Sequence, residues 1–147
     1  MKKKLIIIGG IILIGLLLFI GQNRAMEERT KNHLTADKIE VFHFHGTQQC
    51  WSCIAVGDYA EKTIQLKFPQ EYSNAKITFR SVNVDLPQNK EIVEKYQARG
   101  SSLYINTIID SKDHIEEDVT VWRLVNNRTR FMNYLEDKLS GLLSNKK

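Results

Sequence analysis

The chain is short of the residues that usually announce a function. It has two cysteines, so one intrachain bridge is the most it can form, and two prolines, Pro69 and Pro87. It contains no internal repeat and no low-complexity tract. It also lacks a G-x-S-x-G nucleophile turn, a phosphate-binding glycine loop and an H-E-x-x-H metal motif, which removes the familiar hydrolase, nucleotide-binding and metalloprotease signatures. A surplus of charge is missing too, although the net charge is +4. Residues 1–24 hold Lys2, Lys3, Lys4 and Arg24 and no acid. Setting those four aside from the 21 basic residues leaves 17, matched by 17 acidic ones. The chain beyond residue 24 therefore offers no basic patch argument for nucleic-acid binding.

Long apolar runs are absent except at the start, where Leu5 to Gly21 follows Met1-Lys2-Lys3-Lys4 without a charge. That run is about as long as the shortest membrane-spanning helices, roughly 17 residues. A secretory signal has the same layout. The nearest cleavage candidate, Asn23-Arg24-Ala25, puts a large polar residue where a small one is preferred. The expectation is an uncleaved signal-anchor with three lysines on the cytoplasmic side and only Arg24 close beyond the span. Residues 1–24 then form a cytoplasmic basic start and transmembrane helix, 25–38 a polar tether, and 39–147 one extracytoplasmic domain. This places the protein in the cell membrane as a single-pass chain.

Within that domain Ile39 to Phe44 reads as a mostly buried strand. Trp51 to about Phe68 keeps helical spacing through Ile54, Val56, Ala60, Ile64 and Phe68, weakened at Gly57 and closed by Pro69. Lys76 to Val84 alternates as a strand, with an irregularity expected near Ser81 where the apolar positions change parity. Asp85-Leu86-Pro87 opens a helix whose inner face is Ile92, Val93 and Tyr96, with Asp85 as its cap. Leu103 to Ile109 is a strand, Asp110 to Asp113 a hairpin turn, and Val119 to Trp122 the returning strand. Asn127 to Leu143 is an amphipathic helix built on Phe131, Leu135, Leu139 and Leu142. Glu116-Glu117-Asp118 reads as a solvated face. The order β-α-β-α-β-β-α predicts an α/β fold with a mixed central sheet flanked by helices.

Both cysteines fall in one motif, Cys50-Trp51-Ser52-Cys53, between the first strand and the first helix. A lone C-x-x-C in that position points to thiol–disulfide exchange. Cys50, at the helix start, is the candidate nucleophile because unpaired N–H groups and the helix dipole favour its thiolate. Cys53, one turn in, is the resolving thiol. A purely structural bridge would close so short a loop that the entropic gain is small, on the order of 2 kcal/mol. Trp51 is expected to cover apolar surface beside the site, where a partner could pack. His43 and His45 face the same side of the strand. With Cys50 and Cys53 they form a possible Cys2His2 set for zinc or copper. A milder role is proton transfer or thiolate tuning by His45, the nearer ring. His33, in the tether, and His114, in the turn, have no such case.

Taken together, C-W-S-C after the first strand, Val82-Asn83-Val84-Asp85 before a short helix ending in Glu94-Lys95-Tyr96, and the closing strand pair and helix resemble the thioredoxin superfamily over residues 39–143. The resemblance implies a thioredoxin-like fold and dithiol chemistry without a bound cofactor. It implies as partners exported protein thiols or disulfides, or an integral-membrane electron relay. The family usually has a cis-proline at the start of its third central strand, which shapes the substrate groove and discourages metal binding. Here Ser102 takes that place, and Trp-Ser replaces the Gly-Pro of ordinary thioredoxins. The resulting expectation is a membrane-tethered thiol–disulfide oxidoreductase. A metal carrier using the dithiol with His43 or His45, and a binding module that keeps the fold as a scaffold, are the alternatives.

Overall fold

The computed structural model describes residues 35–144, which lie in one compact unit running from Thr35. The apolar run at 5–21, the tether up to residue 34 and His33 fall outside the described residues. Among the described residues no helix is long and apolar enough to cross a membrane.

The sheet has four strands in the order β2-β1-β3-β4. β1 (Lys38–His45) lies inside it, parallel to β2 (Ile77–Asn83) and antiparallel to β3 (Ser102–Ile109). β4 (Lys112–Glu117) completes the sheet antiparallel to β3. The sheet is thus mixed, within an α/β fold, as the element order implies. Both faces of the sheet are covered at β1, which explains why the strand is buried at Ile39 and continuously from Val41 to Phe44. Ile39 and Val41 face α1 (Trp51–Lys67) and α5 (Arg128–Ser144), in a core with Val56, Ile64, Phe131, Leu135 and Leu139. Phe42 and Phe44 face the other way, packing with Val82, Ala98 and Tyr96 at the end of α3 (Lys90–Tyr96).

The two covered faces also account for β2. Its pairing with β1 runs unbroken from Ile39 with Ile77 to His45 with Asn83, so the irregularity expected near Ser81 is absent. The change of parity is real but has another cause. Ile77 and Phe79 serve the α1 side of the sheet and Val82 the α3 side. Period-2 alternation keeps its phase while the strand changes the face that it buries.

α1 closes before Pro69, as expected, and Pro69 then opens a short second helix, α2 (Pro69–Ser73), occupying a first-turn position where its missing N–H costs nothing. Two further expectations are corrected. Asp85 does not cap the next helix, which begins as a 3-10 turn at Pro87–Asn89 with no side-chain cap. The returning strand is not Val119 to Trp122. Asp110 and Ser111 both have positive φ, 51° and 61°, and form a two-residue hairpin between paired Ile109 and Lys112. That tight turn fixes the return at Lys112, so the polar segment K-D-H-I-E-E becomes the edge strand and His114 lies on it rather than in the turn. Charged side chains suit a sheet edge because they discourage pairing with another chain. Val121–Leu124 is instead a short helix, α4, that buries Val121. The Asp118 side chain accepts the Thr120 N–H ahead of it at 3.1 Å.

Asp118 corrects the reading of Glu116-Glu117-Asp118 as wholly solvated. It is 2% exposed, accepts the Tyr134 hydroxyl at 3.0 Å and pairs with Lys138 at 3.2 Å, tying the end of the hairpin to α5. The start of α5 follows ordinary capping, with the Asn127 side chain accepting the Arg130 N–H at 3.0 Å. Residues 35–38, at the end of the expected tether, are part of the folded unit. Ala36 is buried and its N–H reaches the Leu142 carbonyl at 3.2 Å, while that of Asp37 reaches Ile108 at 2.8 Å.

At Gly57, α1 packs directly on the His43 ring of β1. A Cβ there would stand 2.5 Å from His43 Nδ1 and 2.8 Å from its Cε1. The ring is enclosed and cannot retreat. Gly57→Ala should therefore destabilise the domain by about 1–3 kcal/mol, the usual cost of overpacking, even though alanine is the better helix former. Urea unfolding measures this, and Gly57→Ala made in a His43→Ala background should lose much less.

Candidate functional site

The dithiol lies where β1 runs out. Beyond His45 the chain crosses a four-residue loop, Gly46 to Gln49, and enters α1 with Cys50 as its N-cap residue. The loop is fixed to the end of β2. Asp85 accepts the Thr47 N–H at 2.7 Å, Asn83 donates to the Thr47 hydroxyl at 3.1 Å, and the Val84 N–H bonds the His45 carbonyl at 2.8 Å. The Thr47 bonds, followed by the nearby His45, hold the Asp85 carboxyl below its ordinary range. Asp85 thus anchors the loop that presents Cys50.

Cys50 is exposed and Cys53 half-buried, and both are free thiols. Their sulfurs lie 2.8 Å apart, and Ser52 Oγ is 3.0 Å from the Cys50 sulfur. Hydrogen bonds from Cys53 and then Ser52, with backbone N–H groups of the first turn, lower the Cys50 thiol to about 7. The helix start contributes as expected, but the neighbouring side chains contribute more. Trp51 is 63% exposed and Ile54 55% exposed. Both present apolar surface beside the sulfurs. Ile54, which helical spacing assigns to the inner face of α1, points outward.

The two histidines differ from expectation. His43, not His45, lies beneath the dithiol helix, 2% exposed and packed on Gly57. Its Nδ1 is 3.4 Å from the Ser81 hydroxyl, and its buried Nε2 has no hydrogen-bond partner. Burial, then repulsion from His45, lowers its pKa to about 4, against a smaller opposing effect of the Cys53 carbonyl. The ring is therefore neutral at physiological pH. His45 stacks on it with centroids 5.4 Å apart and directs its own Nδ1 to the Gly46 carbonyl at 2.8 Å. Among the described residues no three His, Cys, Asp or Glu side chains are gathered to hold a metal ion.

Ser102 is the first residue of β3, the place expected for it, and pairs with Phe44 across the sheet. Its hydroxyl bonds the Gly100 carbonyl at 3.2 Å, and no peptide bond among the described residues is cis. Cross-strand pairing puts its side chain on the Phe44 face, whereas His43 lies on the α1 face. The structure brings together Cys50, Cys53, Trp51 and His43 and leaves Ser102 on the other side of the sheet. Three participants were not singled out from sequence. Ser52 was open to recognition as the hydroxyl within the motif. Gly57 gave a signal as a glycine inside a helical pattern. The Thr47–Asp85 contact spans 38 residues and has no local signature.

No family model and no curated protein matches the chain. Among solved structures it is similar to the solution structure of a thioredoxin from Thermus thermophilus. The identity is 13% and the TM-score 0.47, covering 71% of this chain and 76% of that one.

Two pH dependences follow. A histidine whose folded pKa is depressed contributes nothing to the pH dependence above its unfolded value and opposes folding below it. Stability should fall as pH drops from about 6.5 towards 4, by on the order of 3 kcal/mol at about 1.4 kcal/mol per unit. Urea midpoints across that range measure the loss, and in His43→Asn the slope between pH 6.5 and 5 should shrink. For the thiol, the rate of Cys50 alkylation by iodoacetamide should rise with a midpoint near 7. Cys53→Ala should move that midpoint up towards an ordinary thiol, and Ser52→Ala should move it less.

Proposed function

We propose that Cys50 and Cys53 form a redox-active dithiol and that the domain is a thiol–disulfide oxidoreductase. The observation that carries this reading is the pair of sulfurs 2.8 Å apart, one exposed at a helix start and the other half-buried one turn on. The exposed sulfur can meet a partner, and the second is within reach to release it. A thiol lowered to about 7 is substantially ionised at neutral pH yet remains a good nucleophile, because nucleophilicity falls as the pKa falls.

In the reducing direction the Cys50 thiolate attacks one sulfur of a substrate disulfide and expels the other as a thiolate. Cys53 then loses its proton and attacks the Cys50 sulfur. That attack expels the second substrate sulfur as a thiolate, both substrate thiolates take up protons, and the two electrons the substrate gains come from the Cys50 and Cys53 thiols as they are oxidised to the disulfide. Oxidation runs the same steps backwards. The reading extends to place: the uncharged run at 5–21 behind three lysines supports a membrane-tethered domain working outside the cytoplasm. The corresponding partners are exported proteins or an electron-relay protein in the membrane.

Two substitutions test the chemistry. Cys50→Ser should abolish reduction of insulin disulfides by the dithiothreitol-reduced protein. Cys53→Ser should leave the first step intact and accumulate a mixed disulfide, visible by mass spectrometry as an adduct on Cys50. Undiminished turnover in Cys50→Ser would refute the assignment.

A further inference from the structure

A cavity of about 240 Å³ opens beside the dithiol on the α1 side of the sheet. Its lining includes Gln49, immediately before Cys50, and Ile54, immediately after Cys53. Its buried floor is His43 and Gly57. The missing side chain at 57 leaves room for the ring and gives the floor its low contour. Ile54 and Phe79 supply apolar walls, and Asp58 and Glu61, one turn apart on α1, supply carboxylates at the rim. Small-molecule and cofactor sites usually enclose about 300–1,000 Å³, so this notch has the scale of a single side chain.

Its chemistry is uneven in a useful way. Asp58 is paired with Lys62 at 2.8 Å. Glu61 accepts a bond from the neutral Gln65 amide at 3.2 Å and has no cationic partner within salt-bridge distance among the described residues. One negative charge at the rim is therefore left uncompensated. Beneath it the imidazole of His43 is enclosed, has an unpartnered nitrogen and carries no charge that would repel a cation. Apolar walls leading to a carboxylate match a long aliphatic stem with a cationic head, the build of lysine and arginine.

We propose that this notch recognises a lysine or arginine side chain of the disulfide-bearing partner, close in sequence to the cysteine that Cys50 attacks. The inference rests on the exchange reading and adds a substrate preference to it. Trp51 and Ile54 cover the partner's backbone around the reacting sulfur, and the cation fixes which side of its cysteine lies along α1.

The test uses three peptides identical except for one residue, two positions from a single cysteine: arginine, leucine or glutamate. Each cysteine is carried as a mixed disulfide with 5-thio-2-nitrobenzoate. Attack by Cys50 on the peptide sulfur releases the coloured thiolate. Cys53 then displaces the peptide thiol, leaving the protein disulfide. At low ionic strength the arginine peptide should react at least fivefold faster than the glutamate peptide, with leucine between. The difference should narrow in high salt. Glu61→Lys should reverse the order, whereas Glu91→Lys, a change of the same charge on exposed α3, should leave it standing. Equal rates for the three peptides, or the same reversal in both variants, would overturn the notch while exchange itself stands. No release from any peptide by the fully reduced protein would overturn the exchange reading and this inference with it.

Discussion

The pairing of β1 on both sides and its coverage on both faces is the constraint from which the site follows. Because β2 and β3 hold its hydrogen bonds and α1, α5 and α3 cover its faces, its carboxyl end is a fixed platform. The loop leaving that platform is held by Asp85 and Asn83, so Cys50 reaches the first turn of α1 from a defined direction. The exposed sulfur is presented by a rigid frame rather than by a wandering loop. That arrangement lets two thiols remain in contact while one of them is open to solvent.

The same closeness of helix and strand gives His43 its character. A helix carrying any side chain at 57 would stand farther from the sheet, and the imidazole would have room for water. As folded, the ring is dehydrated and neutral, and its burial weakens the fold in acid. Stability and accessibility are thus set against each other within one turn of α1. The glycine that gives the notch its depth also lets the helix bury His43, whose protonation weakens the fold at low pH.

Much of the frame was legible because its signals are local. The strand before Cys50, the helical spacing of Val56, Ala60 and Ile64, and the three-and-four spacing of Phe131, Leu135 and Leu139 each report burial through periodicity. The failures share a different cause. Val119 to Trp122 has the composition of a strand, but the two-residue turn at Asp110-Ser111 had already set the return on a polar segment. The parity change in β2 resembled a bulge because a single strand can serve two cores, which no period reveals. His45 is nearer to Cys50 in sequence, yet the pleat and the approach of α1 at Gly57 bring His43 under the helix. Contacts such as Thr47 with Asp85 depend on the closed sheet and leave no trace in their neighbours.

The joining of Ala36 to Leu142 gives the domain two poles. The chain enters and leaves the fold at the amino end of β1, and the sulfurs are at the other end. Eight residues of strand at about 3.3 Å each separate them by roughly 26 Å. Ala36 and Leu142, close to the first and last described residues, therefore lie at the pole opposite the reactive one.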